Sequence, residues 1–534
     1  MNGDYKFELG DTHGKINRLH VLEDFWLGQG EVYIRLPNGQ IKKCNKVGFP
    51  RVLEQDTEPT PEQFLYAGET VLVRTSSGDA FLYHFDGTNV TLVSGSTSGS
   101  PGGGGGVSGY PDFGDYNPNI YAQILRFTDE NGAALSTLVL DENNQKLIAG
   151  VTRKAYPKYA MLYILNPSTF TPEAKFVVSK DNTPVYVYGG ICDKANNCFY
   201  FAGRYGDSDE GVLFKLGADY QLVASKVLPA SSTPGGSAWK VLEQDEQYIY
   251  VGRLSYSSKP ASSDILIINK NTLEVSQAYK ANDKNITSLR RLDDTKMALF
   301  CWYSDTSVFA VVDIANFNNV IYSAGFNAGS INHALGDFVV LPDGSLIYVC
   351  KDGDSQNSLV KLDNSFNFIK RVIIDLSSIG NYFRIAKMAI NTDDQKIYLI
   401  GSYHTQSDNY CILYLVFDFN LDLQQAKELS KNGGDLWIST LSSRPPNTAG
   451  FMYIGCSDSI THLAVRMNYT IPNGEFASSP SGYTLRDLSE VITTIGEQPQ
   501  FITVPLDTHT PTLSDISLTQ SEGTFQTTLY TIGV

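Results

Sequence analysis

Short apolar runs alternate with polar turns along most of the chain, and one run recurs at nearly even spacing. It ends in a small residue at Gly150, Gly203, Gly252, Cys301, Cys350, Gly401 and Gly455, as in Lys146 to Gly150 (KLIAG) and Ile397 to Gly401 (IYLIG). Successive anchors lie 53, 49, 49, 49, 51 and 54 residues apart. Each is preceded by another apolar run and a polar turn, as in Phe338 to Ser345 (FVVLPDGS) and Ala389 to Asp394 (AINTDD). Such turns carry the Asp, Asn and Gly that β-hairpins require, so these two runs pair locally. A polar loop and a third run follow, among them Val212 to Leu216, Ile265 to Ile268, Leu359 to Leu362 and Ile412 to Val416. A fourth comes next, such as Lys370 to Ile374.

Four antiparallel strands per ~50 residues make one propeller blade, and seven such units close a ring that protects most sheet edges. The inner runs are almost continuously apolar, as expected where both faces of a strand are buried between neighbouring blades. A parallel β-helix is the rival, but its coils are much shorter than this repeat. The fold class is therefore all-β, a seven-bladed β-propeller over residues 119–468. The seventh unit, from Trp437 to about Asn468, supplies three strands, while Ile120 to Phe127 (IYAQILRF) precedes the first unit without a match. That early strand is expected to complete the seventh blade.

Residues 1–95 read as a small β-barrel-like docking domain, with a hairpin from Val32 to Lys43 and a meander from Thr70 to Val93. Residues 96–118 form a linker rich in Gly, Ser and Pro, whose Gly102 to Gly106 run is too poor in side chains to pack. A tether of this kind has a root-mean-square reach of about 25 Å. Residues 469–534 form a β-rich C-terminal extension with alternating stretches at Phe501 to Val504 and Phe525 to Ile532. It is too short for a robust core and is expected to pack on the propeller or on another subunit, because open strand edges are a liability.

The formal net charge of −16 argues against a general electrostatic grip on nucleic acid or on an anionic membrane. The start of the chain lacks a basic segment followed by an apolar core, and no stretch approaches the ~18 apolar residues of a membrane span, so neither export nor membrane insertion is expected. Seven cysteines are an odd number, and Cys301, Cys350 and Cys411 sit in or beside apolar strand runs, which suits buried thiols made in a reducing cytoplasm. Cys192 and Cys198 flank a hairpin turn and could pair, but no further ligands at zinc-site spacing accompany them.

Candidate chemistry is sparse. Histidines at positions 13, 20, 84, 333, 404, 462 and 509 show no local triad signature, and no phosphate-binding loop occurs, so no catalytic residue, metal site or cofactor is assigned. Asp352 and Asp354, or Asp207 to Glu210, could face calcium but match no twelve-residue loop, and solvated turn residues are the better account of them. Asn89, Asn285 and Asn468 fit the glycan acceptor rule. The loops after the anchors offer more, since propeller geometry gathers them on one face. They contain Arg153, Arg204, Tyr205, Arg253, Tyr256, Trp302, Tyr303, Lys351, Tyr403 and His404. Aromatic rings stack on sugars and arginines fork onto carboxylates, so this set suits a glycan or an acidic protein surface. The alternative is that the same residues cap and shield the blade edges.

Leu341 to Val349 (LPDGSLIYV) followed by Leu359 to Asn367 (LVKLDNSFN) resembles the kelch-like and bacterial short-repeat propeller families, a likeness that covers about residues 119–468 and implies fold without an active site. The modular order of head, glycine tether, propeller and β-rich tail resembles structural proteins of tailed-phage virions. That resemblance implies a non-enzymatic tail, baseplate or fibre component, made in the host cytoplasm and located in the virion. Its partners would be other virion proteins through the N-terminal domain and a host-surface glycan or protein, with a homo-oligomer in the assembly. The alternative is a carbohydrate-binding adhesion protein, extracellular or at a bacterial cell surface; a propeller hydrolase or lyase is a third. Deleting residues 119–128 should destabilise the whole propeller, and a cooperative melt unchanged by that deletion would show that the strand does not close the ring.

Overall fold

A computed structural model describes residues 5–8, 18–21, 32–35, 41–44, 51–55, 59–63, 70–74, 80–85 and 90–96 of the N-terminal region. Beyond them it describes 110–114, 116–128, 134–152, 159–181, 183–206, 210–228, 237–255, 263–281, 285–303, 306–327, 336–352, 355–406, 409–438, 447–458, 461–474, 476–478, 482–499, 506–508, 511, 513–523 and 527–533. The chain divides into two compact units, Met1–Gly103 and Gly104–Val534.

Among the described residues, the first unit contains two four-stranded sheets. One is antiparallel, and its Val32–Arg35 and Ile41–Cys44 form the expected hairpin. The other pairs Arg51–Glu54 with Thr70–Arg74 in parallel and continues through Ala80–Phe85 and Val90–Ser96. Val71, Val73 and Tyr83 are its buried centre.

The second unit is the seven-bladed propeller. Blade 1 runs Ala134–Asp141, Lys146–Thr152, Ala160–Asn166 and Thr171–Ser179, each strand antiparallel to the last. Blades 2 to 6 repeat this order, from Gly189–Asp193 in blade 2 to Leu423–Lys431 in blade 6. Blade 7 is composite: Trp437–Ile438, Phe451–Asp458 and Thr461–Asn468 are followed by Ile120–Phe127, which pairs antiparallel with the third strand. The early strand thus closes the ring.

Seven apolar clusters fill the seven junctions, each drawing on two neighbouring blades. Burial on both sides explains why the inner runs are continuously apolar. It also explains the small anchors: a Cβ on Gly203 would lie 1.8 Å from the Tyr186 carbonyl oxygen, and one on Gly150 would lie 2.4 Å from Thr137 Cγ2. Cys192, Cys198, Cys301, Cys350, Cys411 and Cys456 are free thiols, so the pairing open to Cys192 and Cys198 is not made.

Turn chemistry sets the hairpins. Asn166, Asn269, Asp313, Asp363 and Asp418 end third strands, and each side chain accepts a hydrogen bond from the backbone N–H two residues on, at 2.8–2.9 Å. In four of these turns a bulky residue with positive φ follows: Phe170 (56°), Leu273 (54°), Phe366 (64°) and Leu421 (65°). That backbone is costly for a large side chain. Burial of Phe170, Leu273 and Leu421 in the junction cores offsets the cost.

Side chains on the innermost strands link successive blades. Ser136 donates to the Val187 carbonyl, Gln244 to the Cys192 carbonyl at 2.5 Å, and Glu243 accepts from Arg291 N at 3.1 Å. Arg290 pairs with Asp337, Asp337 accepts from Met388 N at 2.8 Å, and Lys387 donates to the Tyr453 carbonyl at 3.3 Å. The seventh junction, where the chain ends meet, is bridged by Arg466. It is 1% exposed, sits between the rings of Phe451 and Phe170, and donates to Gln123 (2.6 Å), Ser168 O (3.0 Å) and Pro167 O.

The C-terminal extension forms a belt. It adds Phe476–Ser478 and Tyr483–Asp487 outside blade 6, Ile492–Ile495 outside blade 5, Asp507–Thr508 outside blade 3, Ser514–Asp515 outside blade 2 and Thr519–Glu522 outside blade 1. Thr527–Gly533 then pairs with Ile120–Phe127, so the closing strand is held on both edges. The belt circles the ring against the order of the blades, and the alternation at Phe501 to Val504 lies outside the described residues. Charge fixes its register: Arg486 meets Glu428 (2.9 Å), Asp515 meets Lys226 (2.9 Å), and Asp487 meets the fully buried Lys427. Two residues of the segment read as linker contact the propeller: Ala449 N donates to Pro111 O at 2.8 Å and the Asn468 amide to Asn117 O at 3.1 Å.

Arg466→Met should cost about 2–4 kcal/mol, since it removes the guanidinium donors from Pro167 O, Ser168 O and Gln123 Oε1 inside the junction. Urea unfolding checks this; a loss below about 1 kcal/mol would show that Arg466 does not hold the junction.

Candidate functional site

Antiparallel pairing gives the central channel two ends. The first strand of each blade enters the hairpin at one end, while the second strand delivers its anchor and following loop to the other. In blade 1, Leu140 pairs with Leu147 near the hairpin and Thr137 with Gly150 near the anchor.

Those residues singled out in the sequence that the structure describes lie on separate blades at the anchor end. Arg204 and Tyr205 are half-buried on blade 2, where the Arg204 guanidinium lies 5.7 Å over the Tyr186 ring. Tyr186 and Tyr188 stack at 5.9 Å and 14°. His404, half-buried on blade 6, lies 3.2 Å from Asn381 Oδ1 and packs on Tyr410 at 4.6 Å. Three others are corrections to the binding set. Arg253 is buried in a 2.6 Å ion pair with Asp264 and lies 5.8 Å from the Trp239 ring; Lys351 is 2% exposed; and Tyr403 is 1% exposed and donates to Glu428. Each serves the blade interior. Trp302 and Tyr303 end the strand Lys296–Tyr303, their side chains outside the described residues, as are Arg153 and Tyr256 altogether.

Other sequence candidates resolve similarly. Asp352 pairs with Arg371, and Asn468 is buried with its amide donating to Asn117 O and Ile120 O, which leaves no room for a glycan. Among the described residues, no three His, Cys, Asp or Glu side chains gather as metal ligands.

The hairpin end holds what the sequence missed. A cavity of about 550 Å³ opens there, walled by first-strand residues such as Leu138, Ile191, Phe338 and Met388. Tyr110, from the segment expected to be linker, contributes to its lining. Ile390 N donates to the Tyr110 hydroxyl at 3.2 Å, and the ring stacks on Tyr469 at 6.4 Å. Burial raises the Tyr110 pKa, against the pull of Ile390 N and Arg290. Burial also opposes the Arg290 charge, but Asp337 and Glu243 outweigh it and leave that pKa raised.

Two lysines on innermost strands lie close to neutrality. Lys240 packs its stem over Gly189 of the preceding blade, and burial lowers its pKa to about 7. Lys387 is lowered to about 7 by burial, with Asp337 working in the opposite direction. Both stand inside apolar runs, Ala238 to Leu242 (AWKVL) and Ile385 to Ala389 (IAKMA), and a lone charge in such a run is the signal that could have found them.

No family model matches the chain, and no curated protein matches it. Among solved structures, it is similar to hydrazine synthase of Kuenenia stuttgartiensis, at 13% identity over 61% of this chain and 93% of that one, with a TM-score of 0.40. A putative 6-phosphogluconolactonase from Bacteroides uniformis follows at 11% identity, 73% and 100% coverage and a TM-score of 0.39. Prolyl oligopeptidase B from Galerina marginata shows 10% identity, 71% and 53% coverage and a TM-score of 0.36. At these values the likenesses decide nothing about activity.

An unfolded lysine ionises near 10.5, so between pH 7 and 10.5 the unfolded chain holds a proton that folded Lys240 has released. Stability should therefore rise with pH through that window and carry the full penalty below pH 7. Lys240→Met should stabilise the protein most at pH 6 and least at pH 10, measured by urea midpoints. An equal gain at both pH values would contradict this.

Proposed function

We propose that the protein is a non-enzymatic attachment component of a tailed-phage tail, baseplate or fibre, with the propeller as its partner- or receptor-binding head. The observation that carries this reading is the belt. Open strand edges invite pairing with neighbouring molecules. Here the chain's own C-terminus covers the outer edges of blades 6, 5, 3, 2, 1 and 7. Opening the ring means stripping strands from both sides of Ile120–Phe127, a device suited to slow unfolding. That favours a protein that must persist among packed copies or outside a cell. The division at Gly103 and Gly104 supports a separate docking unit ahead of the propeller. The kelch-like or short-repeat character of the blades belongs to the same proposal. The half-buried aromatic and cationic groups at the anchor end, Arg204 with Tyr186 and His404 with Tyr410, suit a protein or glycan partner.

Labelling the native source with antibody against the propeller, followed by electron microscopy, tests the setting. Decoration of particles at a tail or fibre is the expected result. Label confined to bacterial envelopes would replace the virion reading with adhesion.

A further inference from the structure

We infer that the outer edge of blade 4 is a docking surface for the chain's own residues 500–505, with Phe501 opposite Ala324 and Ile502 N donating to the Ser323 carbonyl. Residues 500–505 lie outside the described residues. Their place follows from the edge itself, from the chain on either side of them and from a register that the other blades share. The inference goes beyond the attachment reading and does not depend on it.

Among the described residues, blade 4 alone carries no strand outside its own four. Its fourth strand, Val320–Asn327, pairs inward with Thr306–Asp313. An open edge would leave backbone N–H and C=O groups in water. Yet Ser323, Ala324 and Phe326 are only 1%, 2% and 5% exposed, and Gly325 is buried with them. Much of the surface of such small residues is backbone, so this edge is covered. The Ser323 hydroxyl also has no hydrogen-bond partner, whereas the equivalent Ser225 of blade 2 donates to the belt carbonyl of Ile516. A buried hydroxyl left unpaired is costly, and the Ile502 carbonyl is the matching acceptor.

The register is uniform. Each fourth strand of blades 1 to 6 slips by one residue near its start, which aligns Phe176, Lys226, Tyr279, Ala324, Val372 and Lys427. All but Ala324 face the last paired residue of a belt segment: Glu522, Asp515, Thr508, Ile495 and Asp487 respectively. In four of these blades the next belt residue donates to the carbonyl just before the aligned position. Gly523 N reaches Lys175 O (2.8 Å), Ile516 N Ser225 O (3.3 Å), Gly496 N Arg371 O (3.0 Å) and Leu488 N Ala426 O (3.0 Å).

Spacing assigns the occupant. Thr508, Asp515 and Glu522 succeed one another at seven residues, but Ile495 and Thr508 are thirteen apart, which leaves room for one more segment. Leu506 and Leu513 stand two residues ahead of Thr508 and Asp515, buried in the junctions of blades 3 and 4 and of blades 2 and 3. Pro499 is buried seven residues before Leu506, and two residues beyond it is Phe501. A segment held at both ends beside the edge has a high effective concentration there, which disfavours a second copy or a foreign strand.

Oxidation of a full-length Phe501→Cys, Ala324→Cys double variant tests the pairing. A pair flanked by its hydrogen bonds in this way brings Cα atoms to about 4.5 Å, within disulfide reach. Peptide mapping should find the bond between positions 324 and 501 inside the monomer. Thr503→Cys with Ala324→Cys, shifted by two residues, should oxidise about ten-fold more slowly. Ile502→Pro removes the donating N–H and should quicken hydrogen exchange of residues 320–327 by about five- to ten-fold. A covalent dimer joined through these positions would make a second copy the occupant. That result, no cross-link, equal oxidation of the shifted pair, or unchanged exchange in Ile502→Pro would overturn the inference. The disulfide readout stands if Ile502→Pro fails to fold.

Discussion

The seven-bladed ring depends on one joint. A propeller gains its stability from faces packed against faces, and a ring with a gap would expose two such faces at once. Here the joint is made by strands from opposite ends of the unit. Ile120–Phe127 lies between Thr461–Asn468 and Thr527–Gly533, hydrogen-bonded to both. Across the same junction Arg466 reaches the turn of blade 1 through Pro167 and Ser168. A guanidinium at that depth is tolerable because its donors meet carbonyls and Gln123 while two rings cover its faces.

The belt extends this logic around the circumference. Each segment adds an outer strand, and complementary charges on belt and blade set which residues meet. Lys427 illustrates the balance: fully buried, it would be prohibitive alone, yet Asp487 and the Pro472 carbonyl satisfy it. Inside the channel the same economy fails at Lys240, whose burial suppresses its charge instead. The interior thus holds both fully compensated ions and amines near neutrality.

The two channel ends differ in construction. At the anchor end, the turn from second to third strand draws several long polar side chains back into the blades, where Arg253 and Tyr403 find acidic partners on neighbouring strands. At the hairpin end a cavity remains between the first strands, and a residue from outside the repeat, Tyr110, contributes to its lining. Recognition built there would depend on a segment that belongs to no blade.

Repeat spacing, small anchors, turn residues and the unmatched early strand were all legible in the sequence, because each reflects a local demand repeated seven times. A glycine facing the Tyr186 carbonyl, or an aspartate capping a turn, obeys the same rule wherever it falls. The site was less legible. Arg253, Lys351 and Tyr403 share the chemistry of exposed binding residues, and only the facing strand decides whether such a group meets solvent or a buried partner. Tyr110 sits beside a glycine run and carries no periodic signal, so nothing local marks it as part of a cavity lining. Local spacing determined the blades; burial and long-range pairing, which depend on residues hundreds of positions apart, decided the belt, the closing joint and the site.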